Sequence, residues 1–316
     1  MAEIGTDIEK AEQLLRADGV IGIPTETVYG LAGNALNEEA ILKIYQVKNR
    51  PKFDPLIAHT DSLEKIRVLV KSVPSTALAL SEKFWPGPLT LLLDKKPYVP
   101  DLLTSGHPRL AVRIPHHTVT LELLSRLDFP LAAPSANPFG YVSPTTAEHV
   151  KKQLGDKIDY VLDGGACAVG LESTIVGFED EKPIIYRLGG IPVELIEKEI
   201  GSVEVKINVS SDPSAPGMLK SHYSPGRKIL LGDIRENLKG RDISRVGVIS
   251  FQKHYDVPSN QLFVLSPGGN LAEAARNIFA ALRHMDQDGI EEILSEYVPD
   301  EGLGRAINDR LRRAAV

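Results

Sequence analysis

Apolar and polar positions along the chain follow two rhythms, and the switches between them lay out its elements. Val20, Ile21 and Ile23 form an apolar run that reads as a buried strand, ended by Pro24, which has no N–H to give a sheet. Upstream, Asp7 to Ala17 places Ile8, Ala11, Leu14 and Leu15 on one helical face, with Asp7 as N-cap or first-turn acid. Asn37, Glu38 and Glu39 ahead of apolar residues at helical spacing predict a helix from about 37 to 47. Strands follow at Leu56 to His59, Leu89 to Leu93, Leu110 to Ile114, Leu131 to Ala133 and Ile158 to Leu162, with helices near 62 to 70 and 75 to 84. Ser143 to Val150 is a helix start, capped by Ser143 or Thr145, and Glu148 stands three after Thr145 as in a capping box. Glu172 to Gly177 and Ile184 to Gly189 read as neighbouring strands, and a helix over 192 to 200 closes this part.

Asp212 to Gly226 is rich in Pro, Gly and Ser and has no period, so it reads as a linker, although Lys220, His222 and Tyr223 are unusual for an inert tether. Beyond it, strands near 228 to 231, 245 to 250, 261 to 265 and 290 to 297 alternate with helices at 233 to 239, 270 to 286 and 302 to 314. That is the pattern of a small, mostly parallel α/β unit. Pro267-Gly268-Gly269-Asn270 is placed like an anion-binding turn ahead of a helix, without the full G-x-G-x-x-G spacing.

Length changes this picture first: 316 residues exceed what one core sustains, and the pattern divides into 1–208, a linker over 209–227, and 228–316. Apolar residues at 42% and charged ones at 25% are ordinary globular values. A net charge of -6 argues against a broadly basic nucleic-acid coat and leaves room for a local basic pocket. The single cysteine, Cys167, excludes an intrachain disulfide and a cysteine-built zinc site, and points to a cytoplasmic setting. No window approaches the ~20 apolar residues of a membrane span. Residues 1 to 19 carry acids and no apolar segment of the secretory kind.

Candidate chemistry gathers at strand ends. Gly22 to Leu31 packs hydroxyls, a carboxylate and two glycines beyond the first buried strand, where open α/β sheets bind ligands; a plain turn is the bland alternative. Lys48 and Arg50, beside Pro51, can project toward one anion or form a solvated cluster. Arg113, flanked by Leu110, Ala111, Val112 and Ile114, needs an anionic partner, either a structural carboxylate or a ligand's. Arg187 raises the same question. With no run of acids near them in sequence, these cations favour an electropositive cavity for a polyanion. Ser135 and Asn137 after Pro134 suit a turn or a site. Ser173 and Thr174 can bond the sheet or face a ligand. His59 reads as structural, His116 and His117 as a solvated pair, and Cys167 and Trp85 as packing residues. G-x-x-x-x-G-K-[ST], G-x-S-x-G and H-E-x-x-H are absent, so the phosphate-loop, hydrolase and zincin readings have no support.

Pro24-Thr25-Glu26-Thr27-Val28-Tyr29-Gly30-Leu31, Lys48-x-Arg50-Pro51, Pro55-Leu56-Ile57, Ser135-x-Asn137 and Ser173-Thr174-Ile175-Val176 stand in the order and spacing of YrdC-like domains. The whole chain resembles the long form of the threonylcarbamoyl-AMP synthase family. Ser214-Ala215-Pro216-Gly217-Met218-x-x-x-His222-Tyr223-Ser224-Pro225 is similar to that family's linker. The resemblance implies an α/β fold: a YrdC-like twisted open sheet with flanking helices, plus a small Rossmann-like C-terminal α/β domain. It also implies a nucleotidyltransferase. Threonine and bicarbonate form N-carboxy-threonine, which attacks the α-phosphate of ATP to give threonylcarbamoyl-AMP and pyrophosphate. A downstream tRNA threonylcarbamoyl-transferase complex then uses the product on tRNAs reading ANN codons, so tRNA enters only indirectly. By resemblance, Thr27, His59, Arg113, Ala133 and Ser173 hold threonine. Lys48, Arg50, Ser135, Asn137, Ser143, Arg187 and Tyr223 hold ATP, with Lys48 and Arg50 as the catalytic cations and Mg2+ on the phosphates. Asp54 departs from the family, which often has Asn there, and an extra carboxylate beside ATP must bind Mg2+ or turn outward. A hydrogenase-maturation carbamoyltransferase normally adds cysteine-rich zinc fingers, which one cysteine cannot build. A non-catalytic RNA-binding module fits poorly with the net acidity.

Overall fold

The computed structural model describes residues 1–207, 216 and 223–315. The first part runs β1 (Glu3–Gly5), α1 (Ile8–Arg16), β2 (Ile21–Ile23), β3 (Gly30–Asn34), α2 (Glu38–Lys48), β4 (Ile57–His59), α3 (Leu63–Leu69), α4 (Ser75–Phe84), β5 (Leu89–Asp94) and α5 (Asp101–Thr104). It continues with β6 (Arg109–Arg113), α6 (Thr118–Arg126), β7 (Leu131–Ala132), α7 (Ala147–Leu154), β8 (Tyr160–Leu162), β9 (Thr174–Glu179), β10 (Lys182–Arg187), α8 (Val193–Ile200) and β11 (Glu204–Val205). The second part runs β12 (Lys228–Leu231), α9 (Ile234–Leu238), β13 (Val246–Ser250), β14 (Leu262–Val264), α10 (Leu271–Met285), β15 (Glu292–Ser295) and α11 (Gly304–Ala314).

Two sheets result. The large one is mixed, eleven strands in the order β1-β8-β2-β3-β7-β4-β6-β5-β9-β10-β11, and the small one has the order β12-β15-β13-β14 with every pairing parallel. Period-two alternation sorts the large sheet's side chains: Ile57, Leu92, Ala111, Ile175 and Ile184 cluster apart from Ala58, Leu91, Val112, Val176 and Ile185, which join the main core. That core continues into the second part through Tyr223, Ile278 and Phe279, so the two sheets share buried apolar surface.

Helix ends follow local chemistry. Asp7 caps α1 by accepting from Lys10 N, and Ala11 and Leu15 are buried with Leu123, Leu124 and Tyr160. Asn37 caps α2 by accepting from Glu39 N and Ala40 N, and Asn49 closes it in the left-handed conformation. At α7 the structure departs from the expected capping box. Thr146 is the cap, 3.3 Å from His149 N, while Thr145 N–H donates to His149 Nδ1 at 3.2 Å. The histidine pair also splits: His116 is exposed, whereas His117 is half-buried with Nε2 3.3 Å from Gly164 O. At the turn before α10, Asn270 Oδ1 accepts from Ala272 N and Glu273 N. Two of the donors an anion would use at this helix start are therefore already engaged. Among the described residues, no helix is long and apolar enough to cross a membrane.

Candidate active site

The β2–β3 turn is built by Thr25. Its Oγ1 accepts from Thr27 N at 3.1 Å and Val28 N at 3.2 Å and donates to Val28 O at 2.6 Å, a hydroxyl-closed turn that holds Thr27 toward Arg113. Thr27 Oγ1 accepts from Arg113 Nη1 at 2.9 Å. Arg113 ends β6 and reaches Gly87 O through Nε at 3.2 Å. Its Nη2 lies 2.6 Å from a Glu26 carboxylate oxygen, an ion pair off the line of a good hydrogen bond. The anionic partner required of Arg113 is thus present, supplied by a residue distant in sequence. His59 is the register partner of Arg113 across β4 and β6. Burial, and then the Arg113 charge, pull its pKa down to about 3, so the ring is neutral at physiological pH.

Lys48 and Arg50 do not converge on one point. Lys48, at the end of α2, donates through Nζ to Ser135 O and Asn137 O, both at 2.5 Å, and burial followed by the Arg50 charge holds its pKa well below the usual lysine range. It braces the loop that carries Ser135. Arg50 donates to Asp54 O at 3.0 Å and Pro55 O at 2.8 Å and pairs with the Asp54 carboxylate at 2.8 Å. Asp54 is neither turned outward nor left to repel a phosphate: it is fully buried and neutralised by Arg50.

The opposite wall comes from β9 and β10. Arg187 donates to Ser173 O at 3.0 Å, Ser173 Oγ at 2.9 Å and Pro216 O at 3.3 Å, and Ser173 Oγ lies 2.7 Å from Thr90 Oγ1. Burial lowers the Arg187 pKa to about 10. Glu172 accepts from Ser143 Oγ at 2.6 Å. Burial pushes its pKa up, but Arg310 and Arg187 outweigh that and hold it below the usual carboxylate range.

These walls enclose about 580 Å³ of non-protein space, part of it open to solvent. Thr27, Arg50, His59, Arg113, Ala133, Ser135, Ser173, Arg187 and Tyr223 all line this cavity, whereas Lys48, Asn137 and Ser143 stand behind its walls. Asn137 Nδ2 donates to Pro138 O and Tyr141 O, which shapes its loop. Glu172 and Pro216 line the cavity without having been singled out from sequence. For Glu172 the signal was available, a carboxylate beside two hydroxyls in an apolar run. Of the linker, Ser214, Met218, Lys220 and His222 lie outside the described residues; Pro216 and Tyr223 are described and face the cavity.

A family model described as telomere recombination, for Sua5, YciO and YrdC proteins, matches residues 13–189, and one described as threonylcarbamoyl-AMP synthase, C-terminal domain, matches residues 191–316. A threonylcarbamoyl-AMP synthase of Pyrococcus abyssi is 41% identical over 98% of this chain and 94% of its own length. The chain belongs to the threonylcarbamoyl-AMP synthase family. The Schizosaccharomyces pombe synthase is 39% identical over 99% of this chain and 89% of its own length. Among solved structures, the crystal structure of P. abyssi Sua5 complexed with L-threonine matches with a TM-score of 0.91 at 40% identity, covering 98% of this chain and 94% of that one. The α/β architecture, with its large twisted sheet and flanking helices, is therefore that of synthases of this type.

Proposed function

We propose that this cavity joins L-threonine, bicarbonate and ATP into threonylcarbamoyl-AMP, with release of water as the threonine amine takes up bicarbonate and of pyrophosphate as the carbamate takes the adenylyl group, and with threonine at the Arg113 corner and ATP along Arg50, Ser135, Arg187 and Tyr223. One observation carries the reading: one cavity, partly open to solvent, sets a guanidinium beside a neutral histidine at one end and two further guanidinium groups on other walls. Arg113 suits the threonine carboxylate, which would share it with Thr27 and Glu26. The neutral His59 adds no positive charge against the substrate's amino group. The carbamate oxygen of N-carboxy-threonine is itself the nucleophile: it forms the bond to the α-phosphorus as the bond to the bridging oxygen breaks and pyrophosphate leaves. No protein nucleophile is needed, so positioning and charge compensation carry the catalysis. Arg50 and Arg187 offset the charge that moves onto pyrophosphate. Lys48 acts through the Ser135 loop it braces, a narrower role than that of a second catalytic cation.

Mg2+ enters this reading as a companion of ATP. Among the described residues no group of three or more His, Cys, Asp or Glu side chains is placed to hold a metal, and Glu26, Asp54 and Glu172 are each paired with an arginine. Mg2+ usually rides on nucleotide phosphates rather than in a dedicated protein cage. The product suits a downstream tRNA threonylcarbamoyl-transferase complex, with tRNA met only there, and one buried cysteine suits a cytoplasmic setting. We place the division between the two units near residue 208, because β11 pairs with β10 and so belongs to the large sheet. The test is pyrophosphate release from ATP with each amino acid in turn plus bicarbonate. Release only with threonine is expected; threonine-independent release, or none, overturns the reading.

A further inference from the structure

Arg310 on α11 is fully buried, a rare state for arginine. Its planar head is engaged on several sides. Nε donates to Glu172 Oε2 at 2.9 Å, Nη1 to Asp309 Oδ2 at 2.6 Å and Nη2 to Leu188 O at 2.8 Å. The guanidinium carbon lies 4.9 Å from the centre of the Tyr223 ring, which also stacks on Phe279 at 5.4 Å. Asp309 is shared with Arg313 at 3.0 Å, so it does not neutralise Arg310 alone. Glu172 and Tyr223 line the cavity, and Leu188 directly follows Arg187, which does so too. One cation of the small unit therefore touches two residues of the cavity wall, Glu172 and Tyr223, and the carbonyl next to a third, Arg187. The neighbouring helix supports the same region: on α10, Arg283 donates to Val142 O and, at 3.2 Å, to Ser143 O, beside the hydroxyl that holds the other Glu172 oxygen.

A buried ion pair is no better for stability than apolar packing of the same volume, so simple joining of the two units does not call for this arrangement. What it supplies is direction. With Arg310 removed, Arg187, one residue beyond the Leu188 carbonyl, is the cation whose charge still acts on the Glu172 carboxylate. A carboxylate drawn to Arg187 would compete with a phosphate for that guanidinium. We propose that Arg310 is a positioning residue for the nucleotide side of the cavity, fixing the Glu172 carboxylate and the Tyr223 ring where bound ATP meets them. This rests on the synthase reading above.

The experiment measures binding of ATP and, separately, of L-threonine to the full chain by calorimetry, alongside a melting curve, for Arg310→Met and Arg310→Lys. Arg310→Met is expected to weaken ATP binding about ten-fold or more while leaving threonine within about two-fold. Arg310→Lys should recover part of the loss, since an ammonium still faces Glu172 but lacks the planar fork for the Leu188 carbonyl and the Tyr223 ring. Equal losses for both ligands, or ATP binding within about two-fold of the unaltered chain, overturn the proposal. Should Arg310→Met not fold, Arg310→Lys decides: a lowered melting temperature with unchanged ATP affinity overturns the proposal, and selectively weakened ATP binding supports it. Pyrophosphate release by the unaltered chain is scored apart. A silent wild type whose ATP binding still depends on Arg310 would sink the synthase reading and keep the positioning role.

Discussion

Around the cavity, the Arg113–Glu26 and Arg50–Asp54 pairs are almost sealed from water, with side-chain exposures of 4% and 7% in the first and 5% and 0% in the second. On the small sheet's flank, Arg245–Glu291 and Lys239–Glu236 stand in solvent, at 57% and 55% and at 71% and 67%. Both regions are rich in opposite charges, yet water treats them differently. Exposed pairs are screened and contribute little. Buried pairs carry a desolvation penalty that apolar side chains of equal volume would avoid, so a cluster of them around a cavity marks a place where charge is needed for chemistry. Charge count alone would rank the two regions alike, and burial separates them.

Substitutions can break that contrast, starting with the largest effect. Arg113→Ala should lower kcat/KM for threonine about a thousand-fold, read by pyrophosphate release, and Arg113→Lys should restore only part of it because the fork is lost. A near-normal rate in Arg113→Ala would return this arginine to a purely structural role. Asp54→Ala, which leaves Arg50 buried without its carboxylate, should lower unfolding free energy by about 3–5 kcal/mol in urea titrations. A loss no larger than that of a surface pair would mean water reaches Arg50 more easily than its burial indicates.

His59 sharpens the contrast through pH. Its pKa in the folded chain is about 3, below the ~6.5 of an unfolded chain. Between those values the unfolded state binds the extra proton, so stability falls as pH drops from about 6.5 toward 3, by up to about 1.4 kcal/mol per unit for this one group. His59→Asn should flatten part of that slope in urea titrations across the window. Only part will go, because His149 is also held down, to about 4, by burial and then by Arg283. An unchanged slope would place the acid sensitivity elsewhere. The smallest effects belong to the exposed pairs: Arg245→Ala and Lys239→Ala should each shift stability by no more than about 0.5 kcal/mol and leave turnover unaltered. A loss of several kcal/mol from either would erase the distinction drawn from burial.

Most elements were legible because their signals are local. α1, α2 and α10 carry caps, first-turn acids and apolar stripes, and the strands of the small sheet alternate with helices in regular order. The missed elements lack such marks. β3 reads Gly-Leu-Ala-Gly-Asn with no β-branched residue, α6 follows a His117 that makes no capping bond, and β1, α5 and β11 are only three, four and two residues long. At α7, three hydroxyls within four residues compete for one cap, and only the folded backbone selects Thr146. The site followed the same division. Arg113 and Arg187 were conspicuous because a cation between apolar neighbours is costly. Their partners were not, because the fold rather than sequence proximity brings the β2–β3 turn with Glu26 to Arg113, and the pairing of β9 with β10 brings Ser173 to Arg187. Nor was there a local reason to expect Lys48 to turn back onto the carbonyls of Ser135 and Asn137. Arg310 gave no warning at all, since an arginine on an amphipathic helix usually faces water.

The parallel pairing of β1 with β8 also has a consequence in time. Asp7 and Tyr160 bond each other across 153 residues of chain, and the apolar face of α1 is covered by α6 and by the β8 tyrosine. A ribosome adding ~5–20 residues per second needs about 8–30 s to deliver the second partner after the first. Through that interval Ala11 and Leu15 can meet Ile21, Ile23 and Ala32 as soon as β2 and β3 are made, but they lack the Leu123, Leu124 and Tyr160 side chains that complete their cover.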